Sequence, residues 1–204
     1  MEKNATKIII EQAQFKIPSD TIGIDIGQSL QKIAYFRDNE IILKIGETNF
    51  KDIEEFLDEK KSEFSKFNFT GGKAYRLYKK YSNSINANLI NEFESNTRGL
   101  EFLYEFYKKK ALPPSLIVTL GTGTSIVLKN DKIEHLGGSA IGGGFFMGLI
   151  KLLFNLDEFF DAIDLARKGN RFRIDLKVSD IYDIDDTRVD KLFREYTAAS
   201  LGKI

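Results

Sequence analysis

The sequence predicts an α/β protein with mixed β-sheets and flanking helices. Two stretches that begin at Ile22 and Leu116 repeat one pattern: a β-rich run, a turn rich in glycine and hydroxyl side chains, a second strand, a polar turn and a third strand. The region between them instead carries apolar residues at helical spacing, such as Leu100, Leu103 and Phe106. These observations predict two β-meanders separated by helices.

Each meander is predicted to have one buried face. The polar turns fall at residues 37–39 in the first copy and 129–131 in the second. Alternation of apolar and polar residues along two strands of the first copy places one set of side chains on one face of the sheet. We expect these apolar side chains to be buried: Ile33, Tyr35, Ile41, Leu43, Ile45.

Helices and one short strand are predicted between the meanders. Residues 51–66 form a polar helix, and residues 67–70 form the strand. A helix then runs through Tyr75 and Leu77, and the longer helix with Leu100 follows it. Since proline blocks helix continuation, the pair at residues 113–114 marks the crossing to the second lobe.

Two further helices follow the second meander. Three consecutive glycines at residues 142–144 open the first one, and Asp157 is expected to cap the second, which ends at Gly169. Apolar residues recur at helical spacing in both, so we interpret both faces as core. The faces comprise Phe145, Leu149, Leu152, Leu153 and Leu156 in the first helix, and Phe159, Ile163 and Ala166 in the second.

Composition excludes several classes of function. Thirty basic residues balance thirty acidic ones, so no overall field attracts nucleic acid or an anionic membrane. The apolar stretch at residues 137–156 opens with glycines and carries Lys151, which argues against a membrane span. The apolar run at residues 8–10 stops at Glu11, unlike a secretory signal, and the chain has no cysteine. We therefore expect a cytoplasmic protein with no nucleic-acid or membrane partner.

Two glycine-containing turns carry residues suited to phosphate. In the first turn, Gly27 allows close approach of a phosphate, Ser29 offers donors, and Asp25 can hold Mg²⁺ through water, while Lys32 follows on the next strand. Residues 121–125 form the second turn, again between two strands. Either turn alone fits an ordinary glycine turn equally well. The pair meets the needs of a kinase, which must neutralise phosphates and hold a metal.

The glycines at residues 142–144 add a third candidate for anion binding. Free backbone donors and the helix dipole favour an anion at a helix N-terminus. The alternative is that glycine permits tight packing of this helix against a strand. The sequence leaves both interpretations open.

The order of the motifs resembles one enzyme family. A duplicated β-turn-β phosphate loop is typical of the actin, Hsp70 and sugar kinase superfamily. From Ile22 to the last residue, the chain is similar to type II pantothenate kinases in the strings DIGQSLQKIAYF, GGKAY, NEFESNTRGLEFL, LGTGTSIV, GGSAIGGGFFMGL, DLARKGNRFRIDLKVSDIY and TAASLGK. The resemblance implies actin-like, ribonuclease H-like lobes at residues 21–112 and 113–204, the second one incomplete, after an N-terminal extension at residues 1–20.

The resemblance also implies roles for single residues. Glu92 would be the general base, with Glu94 the nearby acid to exclude, although without the resemblance both acids fit a solvated helix start. ATP with Mg²⁺ would phosphorylate pantothenate, and Thr122, Ser125 and His135 would face that substrate. Nucleotide contacts would come from Asp25, Ile26, Gly27, Gln28, Ser29, Leu30, Gln31, Lys32, Thr122, Gly143, Gly144, Phe145, Phe146, Met147 and Phe159.

Three departures from the family pattern bear on activity. Gln28 replaces a second glycine of the first loop, so that loop is bulkier. His135 replaces an arginine that contacts substrate or inhibitory acyl-CoA, and a neutral imidazole lacks the permanent charge of guanidinium; an exposed hairpin histidine is the alternative. Relatives also continue beyond residues 200–203, so we expect either a fragment or a shortened relative, with a homodimer if the full family length is present.

Two alternatives to the pantothenate kinase stay open. One is a catalytically silent relative that binds ATP or acyl-CoA. The other is an actin-like kinase for another small alcohol, such as pantetheine or a sugar.

Overall fold

The computed structural model describes residues 5–9, 17–183, 185–188, 190 and 193–204. It divides into two compact units, Met1–Phe145 and Phe146–Ile204. The first unit holds two separate sheets, and the predicted lobe boundary at residues 112–113 falls between them. That boundary and the two predicted lobes stay predictions.

The first sheet has six strands and mixes antiparallel with parallel pairing. The strands β2, β3 and β4 form the predicted antiparallel meander, and β5 and β6 continue the sheet in parallel beside β2. The short strand β1 pairs antiparallel with β4 at the other edge. This arrangement confirms the predicted α/β class with mixed sheets. The strands are β1 (Ala5–Ile9), β2 (Thr21–Ile26), β3 (Leu30–Arg37), β4 (Glu40–Glu47), β5 (Lys66–Thr70) and β6 (Ala87–Leu89).

Two helices, α1 (Phe50–Lys60) and α2 (Ala74–Tyr81), supply side chains to the core of this sheet. Helix α1 ends earlier than predicted because the backbone N–H groups of Ser65 and Lys66 both donate to the carbonyl of Asp20, at 2.8 and 3.1 Å, and start β5. The core combines strand and helix residues with Phe64 from the connection between α1 and β5: Ile22, Ile24, Ile26, Ile33, Tyr35, Ile53, Phe56, Leu57, Phe64, Phe67, Phe69, Ala74, Leu77 and Tyr81.

The buried face of β4 differs from the prediction. Ile33 and Tyr35 are buried as expected, but Ile45 is 50% exposed and Ile42 packs against the core instead. A two-residue turn at residues 38–39, with φ of 50° and 65°, sets the register in which Tyr35 faces Ile42. Since directly opposed residues of antiparallel strands share one face, Ile41, Leu43 and Ile45 lie on the other face.

The second sheet contains the second predicted meander. The strands β7 (Ser115–Leu120), β8 (Thr124–Lys129) and β9 (Ile133–Ser139) are antiparallel in that order. Helix α3 (Glu92–Lys108) contributes Phe93 and Tyr104 to a small core around Leu112, Ile117 and Val127. The predicted apolar positions of α3, Leu100 and Leu103, are exposed, whereas Thr97 is fully buried.

Helix α4 (Gly143–Phe154) begins at the glycines, as predicted, and continues into the second unit. In that unit, α5 (Phe159–Lys168) precedes the strands β10 (Leu176–Lys177) and β11 (Thr197–Ala199), which pair antiparallel. Asp157 does not cap α5, because Glu158 holds the N-cap position and the Asp157 carboxylate lies 2.5 Å from the Lys151 ammonium.

The apolar faces of α4 and α5 are not core in the described part of the chain. Leu152 is 79% exposed and Phe159 is 49% exposed, while Ala162 is buried. Helical spacing reports that one face is apolar, but it does not report whether other residues cover that face. No described helix has the length and apolar character that a bilayer span requires.

Candidate functional site

The first predicted phosphate loop is a tight turn between β2 and β3. The N–H of Gly27 donates to the carbonyl of Leu30 at 3.0 Å, and a Cβ on Gly27 would lie 2.9 Å from that oxygen. Glycine is therefore the residue that fits this turn. Thr48, the residue just after β4, stabilises the loop, since its hydroxyl donates to the Gly27 carbonyl at 2.9 Å and its N–H donates to the Ser29 carbonyl at 3.0 Å.

The second predicted phosphate loop contacts the first one. It joins β7 to β8, and the N–H of Gly121 donates to the carbonyl of Gly123 at 2.8 Å. The hydroxyl oxygens of Ser29 and Thr122, 93 positions apart in the sequence, lie 3.1 Å apart and share a hydrogen bond. Both side chains are exposed. The structure thus brings the two predicted loops together at one surface site.

Asp25 lies near the carboxyl end of β2, the strand that leads into the first loop. Its Oδ2 lies 2.6 Å from the Nζ of Lys32, its cross-strand partner on β3. A Cβ on Gly71 would lie 2.4 Å from the Oδ1 of Asp25, and Gly71 has a φ of +94°. Gly71 therefore leaves room for the carboxylate, which projects between β3 and the connection that follows β5.

The glycines at residues 142–144 pack against the second loop. The N–H groups of Gly143 and Gly144 donate to the carbonyls of Gly121 and Thr122, at 2.8 and 2.9 Å. These two donors are not free, contrary to the expectation for an anion-binding helix start. A Cβ on Gly142 would lie 2.7 Å from the Thr122 carbonyl oxygen. Tight packing, the alternative that the sequence left open, explains these glycines.

The other residues that were predicted to contact the nucleotide differ in their exposure to solvent. The side chains of Ile26 and Gln31 are buried, and the Oε1 of Gln31 accepts the N–H of Asn49 at 2.9 Å. Any contribution of these two residues to ligand binding would come through the backbone. Gln28, Leu30 and Phe145 are exposed. Phe146, Met147 and Phe159 belong to the second unit, where the rings of Phe146 and Phe159 lie 6.4 Å apart, and their contact with nucleotide stays a prediction.

Glu92 is the first residue of α3. The side-chain oxygen of Asn91 caps this helix by accepting the N–H groups of Phe93 and Glu94, at 2.9 and 3.3 Å. Both glutamates of this first turn are exposed. The cap fixes the start of the helix and therefore the position from which Glu92 projects.

The side chain of His135, on β9, packs against the first turn of α3. Its imidazole stacks on the ring of Phe93, with 3.8 Å between centroids and 8° between planes. The predicted substrate residue thus packs against the neighbour of the predicted base. Ser125, the third predicted substrate residue, is half-buried on β8 opposite Gly138.

Sequence reasoning missed two residues that hold the first loop. One is Thr48, and the other is Lys73, whose Nζ donates to the Gln28 carbonyl at 3.2 Å. The string GGKAY contains Lys73, but its nearness to residue 28 depends on the parallel pairing of β2 with β5. A basic residue just after the strand beside β2 is the signal that could have identified it.

Known structures show weak similarity to this chain. A Ppx/GppA family member from Aquifex aeolicus aligns with a TM-score of 0.40 and 14% identity, covering 71% of this chain and 58% of that one. A putative N-acetylglucosamine kinase from Porphyromonas gingivalis aligns with a TM-score of 0.39 and 12% identity, covering 80% of this chain and 66% of that one. At these scores the alignments carry no argument about function.

Sequence relatives identify the family. Type II pantothenate kinases of Bacillus cereus and Bacillus anthracis are 36% and 35% identical over 186 residues, and that of Oceanobacillus iheyensis is 34% identical over 191 residues. Each match covers 90% of this chain and 66% of the relative, so the chain spans just under two thirds of their length. The model of the Fumble family matches residues 41–204. The chain therefore belongs to the Fumble family, in agreement with the resemblance to type II pantothenate kinases found in its motifs.

Proposed function

We propose that this chain is an ATP-dependent pantothenate kinase that transfers the γ-phosphoryl group of ATP to pantothenate and forms 4′-phosphopantothenate, a step towards coenzyme A. The curated relatives carry the name of this activity. The observation that carries the proposal is the hydrogen bond between Ser29 and Thr122, at 3.1 Å, because it joins both phosphate loops in one site. Two facing loops are suited to bind one triphosphate.

The loops would bind the nucleotide through hydroxyl and backbone donors. Ser29 and Thr122 present exposed hydroxyl groups, and glycine at residues 27, 121 and 123 allows close approach of a phosphate. Mg²⁺ would screen the phosphate charge during transfer. The described residues hold no cluster of three metal-binding side chains, and Mg²⁺ in such enzymes is bound by one or two carboxylates together with substrate phosphates. Asp25 alone, acting through water, fits that requirement.

Glu92 would act as the general base. Its exposed carboxylate projects from the capped start of α3 and would accept the hydroxyl proton of pantothenate as the alcohol oxygen attacks the γ-phosphorus. His135 and Ser125 would contact the pantothenate molecule. The stack of His135 on Phe93 supports this placement, because Phe93 directly follows Glu92.

A second candidate is a catalytically silent relative that binds ATP or acyl-CoA. His135 favours it, since an imidazole at the predicted substrate position lacks the fixed charge and paired donors of a guanidinium group. Inhibition by acyl-CoA, a homodimer and a cytoplasmic location belong to the main proposal and stay predictions.

A coupled ADP-release assay with pantothenate, pantetheine and hexoses tests these proposals. We expect turnover with pantothenate, a loss of about 10²–10⁴-fold in kcat for Glu92→Gln, and little change for the matched control Glu94→Gln. Turnover only with pantetheine or a hexose would identify a different alcohol substrate. ATP binding without turnover on any of these alcohols would support the silent relative.

A further inference from the structure

Lys73 lies directly against the first phosphate loop. Its Nζ donates to the carbonyl of Gln28 at 3.2 Å, and its backbone N–H donates to the carbonyl of Ile26 at 2.9 Å. The residue therefore contacts the loop on both sides of Gly27. We propose that Lys73 is a phosphate-binding cation of the nucleotide site, an inference that rests on the proposed function.

The charges around the loop single out Lys73. Lys32, the other lysine close to the loop, forms an ion pair with Asp25 at 2.6 Å, so their charges cancel. Within the part of the chain that the structure describes, the ammonium of Lys73 bonds a neutral carbonyl and no carboxylate. It therefore supplies a positive charge that the protein itself does not neutralise. A triphosphate is the kind of ligand that such a charge attracts.

The backbone holds Lys73 in place before any ligand arrives. The N–H of Ala74, the next residue, donates to the carbonyl of Gly71 at 3.0 Å, and the side chain of Ala74 is fully buried. Only the side chain of Lys73 then has to move, which lowers the entropy that binding costs. An ammonium has three donors, so Lys73 can gain a phosphate oxygen without first breaking its bond to the loop.

The bond to a phosphate oxygen would be stronger than the present bond to a carbonyl, because both partners carry charge. Lys73 would thus contribute to binding of the phosphate chain and make no contribution to binding of the nucleoside. This difference separates a phosphate-binding cation from a lysine that only stabilises the loop. A loop-stabilising lysine would affect every ligand of the site.

Calorimetric titration of the whole chain with ATP and with adenosine tests the inference. For Lys73→Met, we expect the Kd for ATP to rise about tenfold and the Kd for adenosine to stay within twofold. Lys73→Arg keeps the charge and should recover most of the ATP affinity. The control Lys79→Met removes an exposed lysine from α2, the helix that Lys73 precedes, and should change neither Kd. Raising the salt concentration should weaken ATP binding more in the wild type than in Lys73→Met.

Several results would overturn the inference. An unchanged Kd for ATP in Lys73→Met, an equal loss for ATP and adenosine, or no recovery in Lys73→Arg would each contradict it. If ATP binding depends on Lys73 but pantothenate is not phosphorylated, the proposed acceptor is wrong and the inference stands. If pantothenate is phosphorylated and Lys73→Met binds ATP normally, the inference fails alone. A wild type that binds no ATP contradicts both.

Discussion

The hydroxyl groups of Ser29 and Thr122 share one hydrogen bond, 3.1 Å long, between two loops that belong to two different sheets. Ser29 lies two residues after Gly27, and Thr122 lies between Gly121 and Gly123. Both side chains are exposed to solvent. A hydroxyl group can donate as well as accept a hydrogen bond. Each of the two hydroxyl groups can therefore donate to a phosphate oxygen in place of their shared bond, and neither is left without a partner. The proposed function therefore places a bound phosphate at this contact.

Removing these hydroxyl groups should weaken nucleotide binding. We expect Ser29→Ala and Thr122→Val each to raise the Kd for ATP about three- to tenfold, because each loses one hydrogen bond to a charged group. Calorimetric titration measures this change. Ser62→Ala, in the exposed turn after α1, is the matched control. Wild-type affinity in the double variant would show that the loops do not bind the triphosphate.

Restoring a guanidinium group at residue 135 should improve substrate binding. We expect His135→Arg to lower the KM for pantothenate several-fold with little change in kcat, because a fixed charge with paired donors binds the pantothenate carboxylate, and its plane can still stack on Phe93. His135→Lys carries the charge without the planar fork and should give a smaller effect. Steady-state kinetics with varied pantothenate measures both. A KM that is unchanged or higher in His135→Arg would remove His135 from the substrate site.

Gly142, just before α4, and Gly148, in the middle of that helix, should respond oppositely to alanine. A Cβ on Gly142 would lie 2.7 Å from the Thr122 carbonyl oxygen, so Gly142→Ala should lower the free energy of unfolding by about 1–3 kcal/mol. Gly148 lies within α4 with no neighbouring atom near its added Cβ, so Gly148→Ala should raise that free energy by about 0.5–1 kcal/mol. Denaturant unfolding measures both. Equal effects would mean that the helix does not pack on the second loop as described.

The acid stability of the first sheet should depend on Glu63. Hydrogen bonds from Lys60 and then from Arg37 lower the pKa of Glu63 below its usual value of 4.5. Because the folded pKa lies below the unfolded one, the stabilisation is fully present above about pH 4.5 and is lost as the pH falls through the folded pKa. Glu63→Gln should therefore destabilise the protein at pH 7 and match the wild type at strongly acid pH.

Thermal unfolding at several pH values measures the Glu63 effect. Glu55→Gln, on the exposed side of α1, serves as the control. A difference between Glu63→Gln and the wild type that stays constant from pH 7 to strong acid would contradict the assigned ion pairs.

The sequence predicted the positions of strands and helices better than it predicted which of their faces are buried. Period-two alternation indicated the strands of the first meander, the repeated strand-turn-strand pattern indicated the second meander, and glycines identified the start of α4. The prediction of which face of β4 is buried was wrong, because the turn at Asp38 and Asn39 sets the register of β3 and β4. Alternation alone allows either face to be buried. The apolar face of α4 was predicted, but its exposure depends on which residues pack over it. A periodic pattern contains no information on that point.

The site was predictable where it depends on local chemistry. Glycine and hydroxyl side chains in two turns between strands indicated the loops that contain Ser29 and Thr122. The partners of Lys32 and Lys73 were not predictable, because they depend on the pairing of β2 with β3 and β5. The occupied N–H groups of Gly143 and Gly144 were missed for the same reason, since their acceptors lie in a distant turn.

Titration of the ¹⁵N-labelled chain with ATP, followed by the amide signals of Gly27, Ser29, Thr122 and Gly123, tests whether both loops bind one triphosphate. We expect the signals of both loops to shift together and to fit a single Kd, while adenosine leaves them in place. Shifts confined to one loop, or two different dissociation constants, would contradict a shared phosphate site.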